Sequence, residues 1–138
     1  MLDTIIDLNW FGIAAATLAY YLLGALWFTP LFGKAWDMAV GFERPKGNRF
    51  PPMYYVVPLL SSLAVAMATA VLVHDLGITR LSQAVVLGLV AGIGYAAAVS
   101  FNNAVAPNTP RPVLLGAVTG GYHVCGIVLV ALIITAIG

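Results

Sequence analysis

The stretch VLLGAVTGGYHVCGIVLVALIITAI, from Val113 to Ile137, carries no charged residue and holds Tyr122 and His123 near its middle. About 25 residues at ~1.5 Å each make a helix of roughly 37 Å, enough to cross a hydrocarbon core of about 30 Å with some tilt. The stretch therefore reads as a membrane span with an imidazole inside it. A titratable ring at that depth is costly unless it faces protein or trapped water, so His123 is the first place to look for function.

The whole chain has the same character. Of its 138 residues 62% are hydrophobic and 8% charged, with a mean hydropathy of +0.99, whereas soluble domains carry about a quarter charged residues. The charges fall between apolar runs too long to be core strands. Four spans, at about 10–28, 54–73, 81–103 and 113–137, nearly fill the length. The expected fold is a single all-α transmembrane domain over residues 1–138, an integral membrane four-helix bundle with a short interfacial helix after span one. A net charge of +1 excludes an extended nucleic-acid surface, which needs clustered Lys and Arg. The single cysteine, Cys125, excludes an intrachain disulfide and a cysteine zinc cage, and reads as a small buried hydrophobe. Asp3 and Asp7 precede the first apolar run in place of the basic start of a cleavable signal peptide, so span one is expected to be retained.

Taken in order, span one begins at Trp10 after Asn9 and is expected to end at Pro30, with Trp10 and Phe11 at one end and Trp27 and Phe28 at the other as interfacial belts. Gly12, Ala15, Ala16 and Ala19 form a stripe that admits another helix closely. Tyr20 and Tyr21 lie near mid-span, where a phenol seeks a hydrogen-bond partner. Phe32, Trp36, Ala39 and Val40 share one side of the short interfacial helix, from which Lys34 can reach lipid phosphates. A proline-rich basic loop with Arg44, Lys46 and Arg49 leads to span two, which carries Pro58 in its first turns and the hydroxyls of Ser61, Ser62 and Thr69. His74 follows it, at the far interface. On span three, Ala84, Gly88, Ala91, Gly92, Tyr95, Ala98 and Asn102 fall within an arc of roughly 120° at 100° per residue, a face expected to meet another helix. Asn102 and Asn103 can cap that helix, bond across a helix pair or line a polar vestibule. On span four, Gly116, Gly120 and His123 share a face, so the imidazole is expected to point into the bundle and Tyr122, about 100° round, to point elsewhere.

Basic residues set the orientation. The first and third loops hold Lys34, Arg44, Lys46, Arg49 and Arg111, and the opposite side only Arg80. The positive-inside rule places those two loops in the cytoplasm and both termini outside, in a multi-pass protein of the cell inner (plasma) membrane.

The segments Leu8-Asn-Trp10, Gly24-Ala-Leu-Trp-Phe-Thr-Pro-Leu-Phe-Gly-Lys-Ala-Trp36, Asn102-Asn103 and Gly121-Tyr-His123 carry a resemblance. The chain resembles, over nearly its whole length, the small bacterial four-helix membrane proteins catalogued as domain of unknown function 1761. The resemblance implies that Trp27, Pro30, Gly33, Lys34, Trp36, Asn102 and His123 stand at family-motif positions; it brings no agreed activity. The loop between spans one and two departs from the pattern in being short and proline-rich.

Functionally, no paired carboxylate, nucleophile elbow, histidine-acid motif or glycine-rich phosphate loop is present, so the chain is expected to be no enzyme. No acidic residue falls inside the expected spans, which counts against proton-coupled antiport. The expectation is an oligomeric, non-enzymatic small-ligand or proton binding or transport module, His123 with Tyr20, Tyr21 and Asn102 lining the site or relay. Lys34 and Arg111 are expected to contact lipid head groups or an anion. The alternative is an accessory or scaffold subunit packed on another membrane protein, with His123 structural. No metal or cofactor is expected, and the partners are the bilayer, further copies of the chain and a possible membrane-protein partner, with no nucleic acid.

Overall fold

The computed structural model describes residues 5–47 and 49–138; Asp3 lies outside them, and Asp7 is exposed. Among the described residues there are four long helices and one short one: α1 Trp10–Leu31, α2 Gly33–Val40, α3 Met53–Asp75, α4 Leu81–Ala104 and α5 Pro112–Ile137. The four long ones are each long and apolar enough to cross a membrane, so the chain is a multi-pass membrane protein with the four expected spans.

Local chemistry sets the ends. The Asn9 side chain accepts the Gly12 N–H at 3.1 Å, capping α1, and its amide donates to the Ile137 carbonyl at 3.2 Å, which ties the start of α1 to the end of α5. Pro112 opens α5, where its missing amide proton costs little. Gly41, at φ 69°, stops α2 in the left-handed conformation that glycine tolerates best. Span one does not stop at Pro30 as expected. Residues Trp27–Leu31 widen into a π-helical turn, closed by Phe32 N–H donating to the Trp27 carbonyl at 2.7 Å. The wider turn leaves room for the proline ring, which a regular helix would press against a carbonyl one turn back. Span two overshoots as well, so His74 and Asp75 belong to its last turn.

Helix α5 is the centre of the bundle. It packs on α1, α3 and α4, while α1 and α3 pack on each other and α4 leans chiefly on α5. Glycines set the α4–α5 spacing. A Cβ on Gly88 would lie 2.6 Å from the Val128 Cα and one on Gly92 2.9 Å from the Val124 Cα, so backbone meets backbone with no flexible side chain to move aside. Gly88→Ala is therefore expected to lower stability by about 1–3 kcal/mol, whereas Gly94→Ala, which adds a methyl to open space, should leave it unchanged. Thermal unfolding in detergent, run on both variants, checks the pair.

The expected face of span three holds only through Gly92. Ala84, Gly88 and Gly92 are buried, but Tyr95, Ala98 and Asn102 are exposed. The cause is a second π-helical turn, Gly92–Ala97, which inserts one extra residue and rotates everything after it by about 100°. Ala97 and Phe101 inherit the packing face, against Gly120 and Gly116 of α5. Cys125 corrects the sequence reading too: its side chain is exposed, on the part of α5 that no neighbour covers.

Candidate functional site

Tyr20 is the most deeply placed large side chain, 2% exposed, at the centre of the core where α1 crosses α5. Its ring lies across Gly126, where any Cβ would collide with the aromatic carbons. The arrangement is reciprocal, because Tyr122 of α5 reaches back to α1 and its hydroxyl would stand 2.9 Å from a Cβ on Gly24. Each tyrosine occupies the gap left by a glycine on the opposite helix. The two rings stack with centroids 5.0 Å apart, and Phe28 and Trp27 close over Tyr122 at 5.0 and 6.3 Å. Tyr122 thus points into the bundle, contrary to expectation. Because α5 is surrounded on most of its circumference, neighbouring residues on it can both be interior.

The polar atoms of this cluster are paired. The Tyr20 hydroxyl meets His123 Nδ1 at 2.5 Å, and the Tyr122 hydroxyl donates to the Tyr20 carbonyl at 3.4 Å. The phenol is the better donor and a neutral imidazole nitrogen the better acceptor, so Tyr20 donates and the ring proton of His123 sits on Nε2. Trp27 adds a third tie, its indole N–H donating to the Val118 carbonyl at 3.0 Å with its ring against Gly121.

His123 is half-buried, and its far side lines a groove of about 480 Å³. The groove runs between α3 and α4, which do not pack broadly on one another, and α5 floors it with His123 and Ile127. Thr69 stands on one wall and Ser100 and Asn103 on the other. The Thr69 and Ser100 hydroxyls donate at 2.8 Å to the Val65 and Ala96 carbonyls of their own helices, which leaves their oxygens as acceptors only. Among the described residues Nε2 of His123 and the Asn103 amide have no hydrogen-bond partner. The site is thus a mid-span N–H donor at the bottom of a mostly apolar cleft, with a free amide at one mouth.

Of the expected site residues, the structure joins His123 to Tyr20 and leaves the others apart. Tyr21 is half-buried on another side of α1, and Asn102 is exposed, turned from the groove by the wide turn that delivers Asn103 there instead. Lys34 and Arg111 are exposed at the end of the bundle carrying the first and third loops, and the Arg111 N–H donates to the Ala39 carbonyl at 3.1 Å. Sequence reasoning missed Gly24, Gly126 and Tyr122, whose pairing is between helices and leaves no periodic signal in either.

Arg44, read from sequence as part of a basic loop, instead folds back. Its guanidinium donates to Asp37 at 2.6 Å and to the Phe28 carbonyl at 2.7 Å, above Gly33, whose Cβ would lie 2.8 Å from that carbonyl. This strap ties α2 to the end of α1, while the buried Ala39 of α2 rests against α5. Arg44→Ala leaves a carboxylate and a carbonyl without their donor, a loss of about 1–3 kcal/mol. Hydrogen exchange over residues 33–44 is expected to speed up in that variant while the four long helices keep their protection.

The chain was compared with curated proteins and with solved structures, and none matched. The family model described as protein of unknown function, DUF1761, matches residues 11–135, a stretch that takes in the Tyr20–His123 pair, both wide turns and the Trp27–Trp36 segment. The chain belongs to that family.

Proposed function

We propose that the protein is a small, non-enzymatic binding module of the plasma membrane, which takes a small ligand from the bilayer into the groove between α3 and α4 and holds it at His123. The observation that carries this reading is the half-buried imidazole on the groove floor, oriented by Tyr20 through Nδ1 and offering Nε2 without a protein partner. An unpaired N–H in hydrocarbon costs several kcal/mol, about what a bonded ligand would recover. The volume lies within the range of small-molecule sites, roughly 300–1,000 Å³. Five basic residues in the first and third loops support, by the positive-inside rule, a reading in which the Asn103 mouth of the groove opens to the cytoplasm. Further copies of the chain are the natural cover for the outer surface of α4, whose Gly94 faces open space. Binding without chemistry fits a carrier or sensor role.

The test is extraction of purified protein with organic solvent, followed by mass spectrometry. Wild type is expected to release one near-stoichiometric small molecule that His123→Ala does not retain at unchanged oligomeric size. Equal retention by both would remove His123 from the function and leave the accessory or scaffold reading, in which a partner helix fills the groove.

A further inference from the structure

Tyr95 is out of place on a surface that faces lipid. It is 74% exposed and about nine residues from Ala104, the nearer end of its span, which sets it about 13 Å deep and out of reach of the head groups. Among the described residues its hydroxyl has no hydrogen-bond partner, and acyl chains offer none, so in a lone chain the phenol is left unmet at a depth where that is costly. The same turn of α4 leaves an acceptor unmet. Through Gly92–Ala97 the amides bond five residues back, ending with Ala98 N–H on the Ile93 carbonyl. The α-helix resumes at Ala98, so Val99 takes the Tyr95 carbonyl four residues back. The change of step passes over the Gly94 carbonyl. Gly94 has no side chain to cover it, and a Cβ there would meet nothing within 4 Å. A free donor and a free acceptor therefore stand one residue apart on the outside of α4.

We propose that two copies of the chain pair on this face, the Tyr95 hydroxyl of each donating to the Gly94 carbonyl of the other. This gives the self-association invoked above its contact, and it does not depend on a ligand at His123. Both copies insert in the same direction, so a two-fold axis along the membrane normal sets equal residues at equal depth. Because donor and acceptor are neighbours in sequence, that one operation makes both bonds together. Gly94 and Ala98, both exposed, let the two backbones approach as closely as the bonds require. A different protein would have to bring its own donor and acceptor to this depth, whereas a second copy carries them already. The groove stays open in such a dimer: Ala96 and Ser100 line it about 160° round α4 from Ala98 at 100° per residue, with Tyr95 at the edge between the two faces.

The experiment measures energy transfer between donor- and acceptor-labelled copies of the full chain in bilayers, as protein is diluted with lipid. Wild type is expected to follow a monomer–dimer equilibrium. Tyr95→Phe, which keeps the ring at an exposed position, should weaken it about tenfold, the two symmetric hydrogen bonds in fold-change terms. Gly94→Leu should abolish it by holding the backbones apart, while the open space around that position leaves the fold of each copy intact. A wild type that stays monomeric at the highest protein density, a Tyr95→Phe variant that associates as wild type does, or a dimer that survives Gly94→Leu would overturn the inference. So would a Tyr95→Phe variant that dimerises normally but loses the solvent-extracted molecule, which would assign the phenol to the groove. The binding role is judged separately, by whether extraction yields a molecule that depends on His123, so either reading can fail while the other stands.

Discussion

Tyr20→Ala is expected to be the most damaging single change in the chain, at about 3–5 kcal/mol, the range for emptying a large aromatic from a core. Tyr20 is 2% exposed and touches Tyr122, His123 and the Gly126 cleft at once. The position opposite its ring is Gly126, which has no side chain to fill the space left behind. Tyr20→Phe separates the ring from the hydroxyl. It should cost only about 1–2 kcal/mol, the loss of one buried hydrogen bond with Nδ1 left unpaired, and keep the fold. Equilibrium unfolding of both variants in a mixed detergent gives the two numbers. If Phe proves as damaging as Ala, the hydroxyl rather than the ring holds the helices together, and the packing account is wrong.

Gly126→Ala is the complementary experiment, acting from the other helix. The added methyl would collide with the Tyr20 ring, so either α1 and α5 separate or the ring swings out of its slot. Both responses cost about 1–3 kcal/mol by overpacking, and more where the backbone must move. Both also displace the hydroxyl from His123. The variant is thus expected to lose thermal stability and, in whatever fraction stays folded, to release Nδ1 from its partner. A Gly126→Ala protein as stable as wild type would show that the two helices do not approach here as described.

Much of this was legible beforehand. Length and hydropathy gave the four spans to within a few residues, because a bilayer core demands an unbroken apolar run and the loops between are marked by Pro and charge. The inward turn of His123 was legible from Gly116 and Gly120 at a spacing of seven and three. Matching depths set both Tyr20 and Tyr21 level with His123 and did not choose between them; the packing of α1 on α5 brings Tyr20 to the ring. The errors along spans one and three share one physical origin: projection of a regular helix assumes one hydrogen-bond pattern throughout. The wide turn at Gly92–Ala97 shifts the phase by one residue, so Asn103 replaces Asn102 at the groove and Tyr95 stands exposed at the groove's edge instead of packing on another helix. The wide turn at Trp27–Leu31 carries the span through a proline that would otherwise end it. Arg44 was read as a loop charge because its partners, Asp37 and a carbonyl of α1, lie on other elements. Nothing in a single sequence marks Gly126 as the seat of Tyr20, since that match exists only once the helices are packed.

The central claim is that Tyr20 holds His123 by Nδ1 and turns Nε2 toward the groove. Solid-state ¹⁵N spectra of histidine-labelled protein in bilayers test it directly, with His74→Gln removing the only other histidine. The expected result is a neutral ring with its proton on Nε2 and a hydrogen-bonded, unprotonated Nδ1 whose shift moves on Tyr20→Phe. A ring protonated on Nδ1, with a spectrum indifferent to Tyr20→Phe, would contradict it.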